Sequence, residues 1–320
     1  MKAKFTVLVT GIGGNVGQGI CKNLRLHYGL DVKIVGTNIE EKTAGRYLVD
    51  AFHLVVRADH PDYLKAIKDL VTQEAVDLIL PATDLESYLL SDGELFAQGK
   101  VLTSPLSTQL CFYDKLKTYE LFHSLNLNFP KTYLPSSFDK NSADHLILKQ
   151  RSGGGSKNLF LKPTLQQIKD ADDEFVIQEK LTGIEITSTC FYPEKGAVIG
   201  PITFIRDLKF GTTFYCKRVK EYDEEVLGIF KKMGSKVKIR GSINLQSIVT
   251  DKGVFPFEIN GRISGTNSIR SHLGFSDVKF SVDSYLLKKE IETPQILDGE
   301  GYRIISDIII PEGHPQPIFY

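Results

Sequence analysis

The sequence lacks tryptophan, and it lacks an excess of charge of either sign. Its 39 basic residues balance 39 acidic ones, so the formal net charge is zero. A protein whose main partner is a nucleic acid or an anionic membrane usually carries a basic excess, so the composition argues against both partners. No stretch approaches the ~20 consecutive apolar residues that cross a bilayer, and the first residues show no signal-peptide pattern.

Cysteine is scarce as well. The four cysteines are Cys21, Cys111, Cys190 and Cys216, which lie far apart and form no CxxC pair. This spacing is typical of reduced thiols that are buried as small hydrophobic side chains, and it argues against a disulfide framework or a zinc site. Together with the missing signal peptide, it predicts a cytoplasmic protein.

The length of 320 residues predicts about two domains, at ~150 residues per domain. With 42% hydrophobic and 24% charged residues, the chain is globular in composition. Residues 1–112 alternate strand and helix patterns, which predicts a parallel, doubly wound α/β sheet. In residues 113–320 the strands become longer and antiparallel in character, which predicts an α+β domain. The last expected strand runs from Tyr302 to Ile310.

The first glycine-rich loop reads Gly11-x-Gly13-x-x-x-Gly17 and lies between a strand and a helix. Amides in such a loop bind the phosphates of nicotinamide cofactors in dinucleotide folds. The spacing is not GxGxxG, however, and the next strand ends at Asn38 without the acidic residue that binds a ribose. A tight strand-to-helix turn is the alternative, and both interpretations stay open.

The second glycine-rich loop reads Arg151-Ser-Gly-Gly-Gly-Ser-Lys157. Lys149, Arg151 and Lys157 supply three cations around it. A loop that closes over a triphosphate needs bare amides and nearby cations, and glycine permits the close approach. A plain hairpin turn is the alternative, but it does not account for the cations. The loop lacks the GxxxxGK[ST] pattern, so it is not a P-loop.

Polar side chains accumulate on two neighbouring segments near the end of the chain. In a strand, residues two apart share a face, so Glu258 and Asn260 point the same way. A hairpin through residues 251–253 would bring Gln246 to them. Three such oxygen donors suit Mg²⁺, which completes its shell with water and nucleotide phosphates. A solvated polar face of a sheet is the alternative.

The order of these pieces along the chain resembles the ATP-grasp superfamily. The series is Asp114-Lys115-x-x-Thr118, Leu146-Ile-Leu-Lys149, the second loop, Gln178-Glu179-x-Leu181-x-Gly183-x-Glu185, Arg206, Gln246 and Glu258-x-Asn260-x-Arg262. The type it resembles most is the synthetase unit in the large subunit of carbamoyl phosphate synthetase. The resemblance extends over the whole chain, since residues 11–20 and 79–84 are similar to the pre-ATP-grasp domain.

The resemblance implies a Rossmann-like pre-ATP-grasp domain over residues 1–112 and an ATP-grasp domain over 113–320. In the second domain, two α+β subdomains clamp ATP: a lid subdomain at about 126–180, and a C-terminal subdomain with the metal site at about 181–320.

The resemblance also implies roles for individual residues. The implied nucleotide-binding residues are Lys115 and Lys149 for phosphates, the lid residues Gly153, Gly154, Gly155, Ser156 and Lys157, the adenine hinge residues Gln178, Glu179 and Leu181, and Glu185 for the ribose. The implied metal ligands for Mg²⁺, or Mn²⁺, are Gln246, Glu258 and Asn260. Arg262 is implied to steady the transferred phosphoryl group, and Arg206 to contact phosphate. The chain departs from the family at Gly261, where proline is usual, and at Lys180, where an aromatic or apolar residue is common; neither change removes a ligand.

The implied activity is that of an ATP- and Mg²⁺-dependent ligase. It would join a carboxylate, from an amino acid or a small acid, to an amine or a thiol through an acyl phosphate. Candidate substrate contacts are Asn15, Thr83, Asp84 and Arg270; an arginine can hold a carboxylate bidentately, and a surface ion pair is the alternative for Arg270. The sequence is compatible with a homodimer. Two other functions also stay open: an ATP-binding sensor without turnover, and a nicotinamide-dependent oxidoreductase.

Overall fold

A computed structural model describes residues 3–139, 142–153, 158–209, 211–304, 306–312 and 318–319. The first part of the chain alternates strands and helices. Its elements are β1 (Phe5–Val9), α1 (Asn15–Tyr28), β2 (Val32–Asn38), β3 (Ala51–Leu54), α2 (Tyr63–Gln73), β4 (Leu78–Leu80), α3 (Asp84–Leu89) and α4 (Gly93–Ala97). The strands pair in parallel in the order β3-β2-β1-β4. Every residue of β1 is buried, as an apolar strand between two parallel neighbours requires. The α/β prediction is confirmed.

Two helices lead from this sheet into the rest of the chain: α5 (Leu106–Tyr113) and α6 (Lys115–Ser124). The sequence predicts one helix from residue 113 to 125, but the helix begins afresh after Asp114. The carboxylate of Asp114 accepts hydrogen bonds from the amides of Leu116 and Lys117 and so caps α6. Before these helices, a single parallel bridge joins Val101 to Ile79 of β4.

A small antiparallel sheet follows, within the predicted lid subdomain. Its elements are β5 (Thr132–Tyr133), β6 (Leu146–Gln150), α7 (Leu165–Asp170) and β7 (Phe175–Glu179), with strand order β5-β7-β6. The second glycine-rich loop begins directly after β6.

The largest sheet is antiparallel and has the order β12-β11-β8-β9-β10-β13. The elements of this region are β8 (Ile184–Tyr192), β9 (Ile199–Lys209), β10 (Thr212–Arg218), α8 (Asp223–Lys236), β11 (Gly241–Thr250), β12 (Gly253–Asn260), α9 (Asn267–His272), α10 (Asp277–Ser281), β13 (Glu300–Tyr302), β14 (Ile308–Ile309) and β15 (Ile318–Phe319). The α+β prediction is confirmed, whereas the prediction of a single strand from Tyr302 to Ile310 is wrong. Short 3₁₀ turns occur at Gly29–Asp31, Ala44–Leu48 and Pro135–Ser137, and a π-helical turn at Val282–Leu286.

One hydrophobic cluster packs α1 against the segment that contains α10. Ile20 and Leu24 of α1 belong to the same buried cluster as Phe275 and Val278, which lie beside and within α10. This packing fixes the loops of the parallel sheet against the segment that follows β12. This cluster contains residues from both predicted domains, so it does not mark a boundary between them. The domain limits at residues 112 and 113 therefore stay a prediction. Among the described residues, no helix combines the length and the hydrophobicity that a membrane span needs.

Candidate active site

A cleft of about 300 Å³ opens between the small antiparallel sheet and the largest sheet. Nine site residues named from the sequence line it: Lys115, Lys149, Gly153, Gln178, Glu179, Leu181, Glu185, Gln246 and Glu258. Its apolar walls come from both sheets and include Ile147, Leu208 and Ile248. Apolar walls with a few convergent polar groups at one end suit a ligand with a flat base and a charged tail.

The hinge between the two sheets is built from buried polar contacts. Gln178 is buried, and its Nε2 donates to Thr132 Oγ1 at 2.9 Å. Gly183 follows in the connection to β8, and a Cβ there would lie 1.9 Å from the carbonyl oxygen of Val249. Only glycine permits this close approach of two backbones. The hinge residues therefore stay fixed at the edge of the cleft.

Two lysines face the same end of the cleft. Burial, and then the charge of Lys115, lower the pKa of Lys149 to about 7. The Nζ of Lys149 lies 3.4 Å from the carbonyl oxygen of Phe257, and the Nζ of Lys115 donates to the carbonyl oxygen of Gly153 at 2.7 Å. A buried amine with a lowered pKa beside a second cation is stabilised by an anionic ligand.

The start of the glycine-rich loop is fixed by an ion pair. Arg151 lies 2.8 Å from Asp114 through Nη2, and its Nε also donates to that carboxylate. Asp114, the cap of α6, thus holds the base of the loop as well. Arg151 is therefore paired with a carboxylate of the protein, although the sequence analysis named it as one of three cations around the loop that could bind phosphate. The predicted lid residues Gly154, Gly155, Ser156 and Lys157 lie outside the described residues.

The β11–β12 hairpin brings the three predicted metal ligands together. Gln246 pairs opposite Glu258 in antiparallel register, as the hairpin through residues 251–253 requires. The Nε2 of Gln246 donates to Glu258 Oε1 at 3.0 Å and to Asn260 Oδ1 at 3.2 Å. The three side chains therefore share one face of the sheet, at the polar end of the cleft.

Arg206 orients this group. Its Nη2 donates to Glu185 Oε1 at 2.9 Å and also to the Oε1 of Gln246. The oxygen of Gln246 thus faces Arg206, and its nitrogen faces the other two side chains; a half-turn of the amide would exchange them. One carboxylate and two amides suit a hard cation that also binds phosphate oxygens. Among the described residues, no group of three or more His, Cys, Asp or Glu side chains is placed to hold a metal ion.

Asn244 is a buried residue that contacts Asn260 of the predicted metal ligands, a role that the sequence did not indicate. Its Oδ1 accepts hydrogen bonds from Thr187, Thr189 and Ser264, at 3.0, 2.9 and 3.1 Å. Its Nδ2 lies 3.4 Å from Asn260 Oδ1. The available signal was its position two residues before Gln246, which places both side chains on one face of β11.

Arg270 does not reach the cleft, contrary to the prediction that it binds substrate. Its side chain is fully buried and donates to both carboxylate oxygens of Asp277. It also donates to Ser264 Oγ at 2.9 Å and Thr266 Oγ1 at 2.7 Å. The alternative of a surface ion pair is wrong as well, because α9 turns this residue into the interior.

The other candidate substrate contacts lie where the parallel sheet meets the β11–β12 hairpin. Asp84 Oδ2 accepts from Arg262 Nη2 at 2.6 Å, and Asp84 Oδ1 lies 3.4 Å from Asn260 Nδ2. Thr83 caps α3 by accepting from the amide of Glu86. Asn15 lies against the loop that follows Arg262, since a Cβ on Gly265 would be 2.9 Å from its Nδ2.

The first glycine-rich loop is tightly packed on itself. The amide of Gly13 donates to Asn38 Oδ1 at 3.1 Å, so this amide is already satisfied within the protein. A Cβ on Gly17 would lie 2.7 Å from the carbonyl oxygen of Gly11. These contacts favour the tight turn over a nicotinamide site.

Two family models match the chain. Residues 112–266 match the model described as the ATP-grasp domain, and residues 7–100 match the PylC-like, N-terminal domain. The chain carries an ATP-grasp domain. The resemblance read from the sequence is thereby confirmed at the level of this family. A comparison with curated protein sequences finds no match.

Solved structures share the fold of this ATP-grasp protein. N5-carboxyaminoimidazole synthetase from Staphylococcus aureus has a TM-score of 0.72 at 15% identity, covering 93% of this chain and 81% of its own. The biotin carboxylase domain of Hydrogenobacter thermophilus 2-oxoglutarate carboxylase, in complex with MgADP and bicarbonate, has a TM-score of 0.71 at 14% identity, with 94% and 74% covered. N5-carboxyaminoimidazole synthase from Aspergillus clavatus, in complex with ADP and 5-aminoimidazole ribonucleotide, has a TM-score of 0.71 at 13% identity. The match covers 98% of this chain and 84% of the other.

Proposed function

We propose that this ATP-grasp protein is an ATP- and Mg²⁺-dependent ligase that activates a carboxylate as an acyl phosphate and couples it to an amine or a thiol. The observation that carries the proposal is the convergence of Lys115, Lys149 and Glu185 with the triad Gln246, Glu258 and Asn260 around one cleft. Complexes of the neighbours with ADP and MgADP support the choice of nucleotide.

The proposed reaction has two steps. A carboxylate oxygen attacks the γ-phosphorus of ATP, the bond from that phosphorus to the bridging oxygen breaks, and ADP leaves. The nucleophile then attacks the carbonyl carbon of the acyl phosphate, loses its proton, and releases inorganic phosphate. Little covalent chemistry is asked of the protein, so its contribution is positioning and charge neutralisation.

Each part of the cleft has a place in this scheme. The lysines Lys115 and Lys149 face the phosphates, Glu185 accepts the ribose hydroxyls, and the hinge at Gln178–Leu181 contacts the adenine. Glu258 and Asn260, with the oxygen of Gln246 after a half-turn of its amide, would hold Mg²⁺. When bound, Mg²⁺ neutralises charge on the phosphates. Arg262 lies beside the triad, where the transferred group would pass.

The test is ADP release with Mg²⁺-ATP and pooled carboxylates, each with and without amines. Glu258→Gln keeps the shape of the side chain and removes its charge, so we expect release to fall about 100-fold or more. Glu292→Gln makes the same change at an exposed position and serves as the control. Equal activity of Glu258→Gln and wild type would contradict the metal assignment. Confirmed ATP binding with no release from any pool would favour the alternative, a sensor without turnover.

We also propose a cytoplasmic location, because all four cysteines are free and three of them are buried. Small carboxylates and amines are the proposed partners, and a homodimer is proposed as the oligomeric state.

A further inference from the structure

The ion pair between Asp84 and Arg262 lies between the first domain and the metal-binding face of β12. The side chains of Asp84 and Arg262 retain 19% and 14% of their exposure, so neither is fully buried. Asp84 also lies 3.4 Å from the amide nitrogen of Asn260. A ligand that contacts this pair is therefore next to the proposed phosphoryl-transfer site.

The acidic end of the pair has an aromatic wall. Asp84 lines a narrow pocket together with Tyr113, Lys115 and Glu258. The ring of Tyr113 stacks on Tyr88, with centroids 5.1 Å apart and planes 6° apart. Aromatic rings and a carboxylate together favour a cationic group of a ligand. The opposite end of the pair is a guanidinium, which favours a carboxylate.

The charges of the pair restrict which ligand can enter. A simple carboxylate that bound Arg262 would displace Asp84 and leave this half-buried carboxylate without its cation, which is costly. A zwitterion avoids the cost. Its ammonium group replaces the guanidinium beside Asp84, and its carboxylate replaces Asp84 beside Arg262. The net charge of the site is then unchanged.

We infer that the acid activated by this protein is an amino acid, held by its ammonium group on Asp84 and by its carboxylate on Arg262. The inference rests on the proposed ligase function and names its substrate class. Because Asp84 keeps the bound amino group protonated, that group is not a nucleophile. The amine that attacks the acyl phosphate and displaces phosphate therefore comes from a second molecule.

The first test compares three sets of acids in the ADP-release assay with Mg²⁺-ATP and an amine pool. The sets are amino acids, the same carbon skeletons without the amino group, and bicarbonate. We expect release with amino acids to be at least about 10-fold faster than with the other sets. Equal or faster release with the unaminated acids or bicarbonate would keep the ligase and overturn this inference. Release from none would overturn both.

The second test uses Asp84→Asn, which keeps an oxygen for Arg262 but removes the charge. We expect kcat/KM for the amino acid to fall about 10–100-fold with ATP binding unchanged, and the urea midpoint to fall as well, because the guanidinium of Arg262 loses its counter-charge. The preference for amino acids over their unaminated analogues should shrink by the same factor. Asp92→Asn, an exposed position nearby on the chain, should behave as wild type. An equal loss for aminated and unaminated acids in Asp84→Asn would mean that Asp84 only positions Arg262, and would overturn the inference.

Discussion

The amine of Lys149 is enclosed by the cleft and lies near a second lysine, so its charged form is disfavoured. With a pKa of about 7, it is largely neutral at pH 8, where an exposed lysine is charged. The phosphates of ATP would favour the ammonium form and raise the pKa again. Proton uptake on nucleotide binding therefore reports directly on this residue.

We expect ATP binding at pH 8 to take up about one proton. Affinity should fall as the pH rises above about 7, because the free protein has then lost the proton that the complex needs. Calorimetry in buffers of different ionisation enthalpy measures the uptake. Lys149→Arg is the control, since a guanidinium stays charged and should remove the uptake. Identical binding enthalpies for wild type in all buffers would contradict the pKa of Lys149.

Most residues of the cleft, such as Lys115 at the start of α6, were named through the resemblance to the ATP-grasp superfamily, whereas the three predicted metal ligands follow from the period-two spacing of strands. Glu258 and Asn260 share a face for this reason, and the turn at residues 251–253 brings Gln246 to them. Arg270 was not predictable, because its environment comes from Asp277 on another helix. Asp84 was named as a substrate contact, but its pairing with Arg262 spans 178 positions of sequence.

At the scale of elements, buried strands such as β1 are predictable because a short apolar run between turns has few alternative secondary structures. The break between α5 and α6 was missed because it depends on the cap that Asp114 forms and not on periodicity. The expected strand from Tyr302 to Ile310 is wrong for a related reason: Tyr302 pairs with β10, whereas Ile308 and Ile309 pair with β15, so the segment is divided between two sheets. Propensity alone does not supply such a partner.

Asp114 connects two elements, so its loss should affect both stability and nucleotide binding. Asp114→Ala removes the cap of α6 and the ion pair with Arg151 at the base of the loop. We expect the free energy of unfolding to fall by about 1–3 kcal/mol and the KM for ATP to rise. Asp114→Asn keeps an acceptor for the cap and should recover most of the stability but not the KM. Urea unfolding and ATP kinetics measure the two effects; an unchanged KM in Asp114→Ala would contradict the role of Asp114 at the loop.

On the scale of the whole molecule, the buried pair Arg270–Asp277 ties α9 and α10 to the largest sheet, because Ser242 of β11 also donates to Asp277. Asn267 of α9 contacts Asn23 of α1, which extends the same connection to the region of the parallel sheet. These contacts join segments that are far apart in sequence. They hold the two sides of the proposed substrate site in register.

Breaking this pair should destabilise the protein without a specific effect on substrate. Asp277→Asn leaves the fully buried guanidinium of Arg270 without its counter-charge, and we expect a loss of about 3–5 kcal/mol in unfolding free energy. In the fraction that stays folded, KM for the carboxylate should match wild type. Urea denaturation and steady-state kinetics check both parts. A raised KM in folded protein would restore Arg270 as a substrate-binding residue.

The acyl phosphate is the central claim for the whole molecule, and oxygen transfer tests it most directly. The carboxylate pool that supports ADP release is labelled with ¹⁸O, and the phosphate produced is analysed by mass spectrometry. If a carboxylate oxygen attacks the γ-phosphorus, that oxygen leaves with the phosphate, so each phosphate carries one ¹⁸O. Phosphate without label, at a normal rate of ADP release, would contradict the account, because ATP would then be cleaved without forming a bond to the carboxylate.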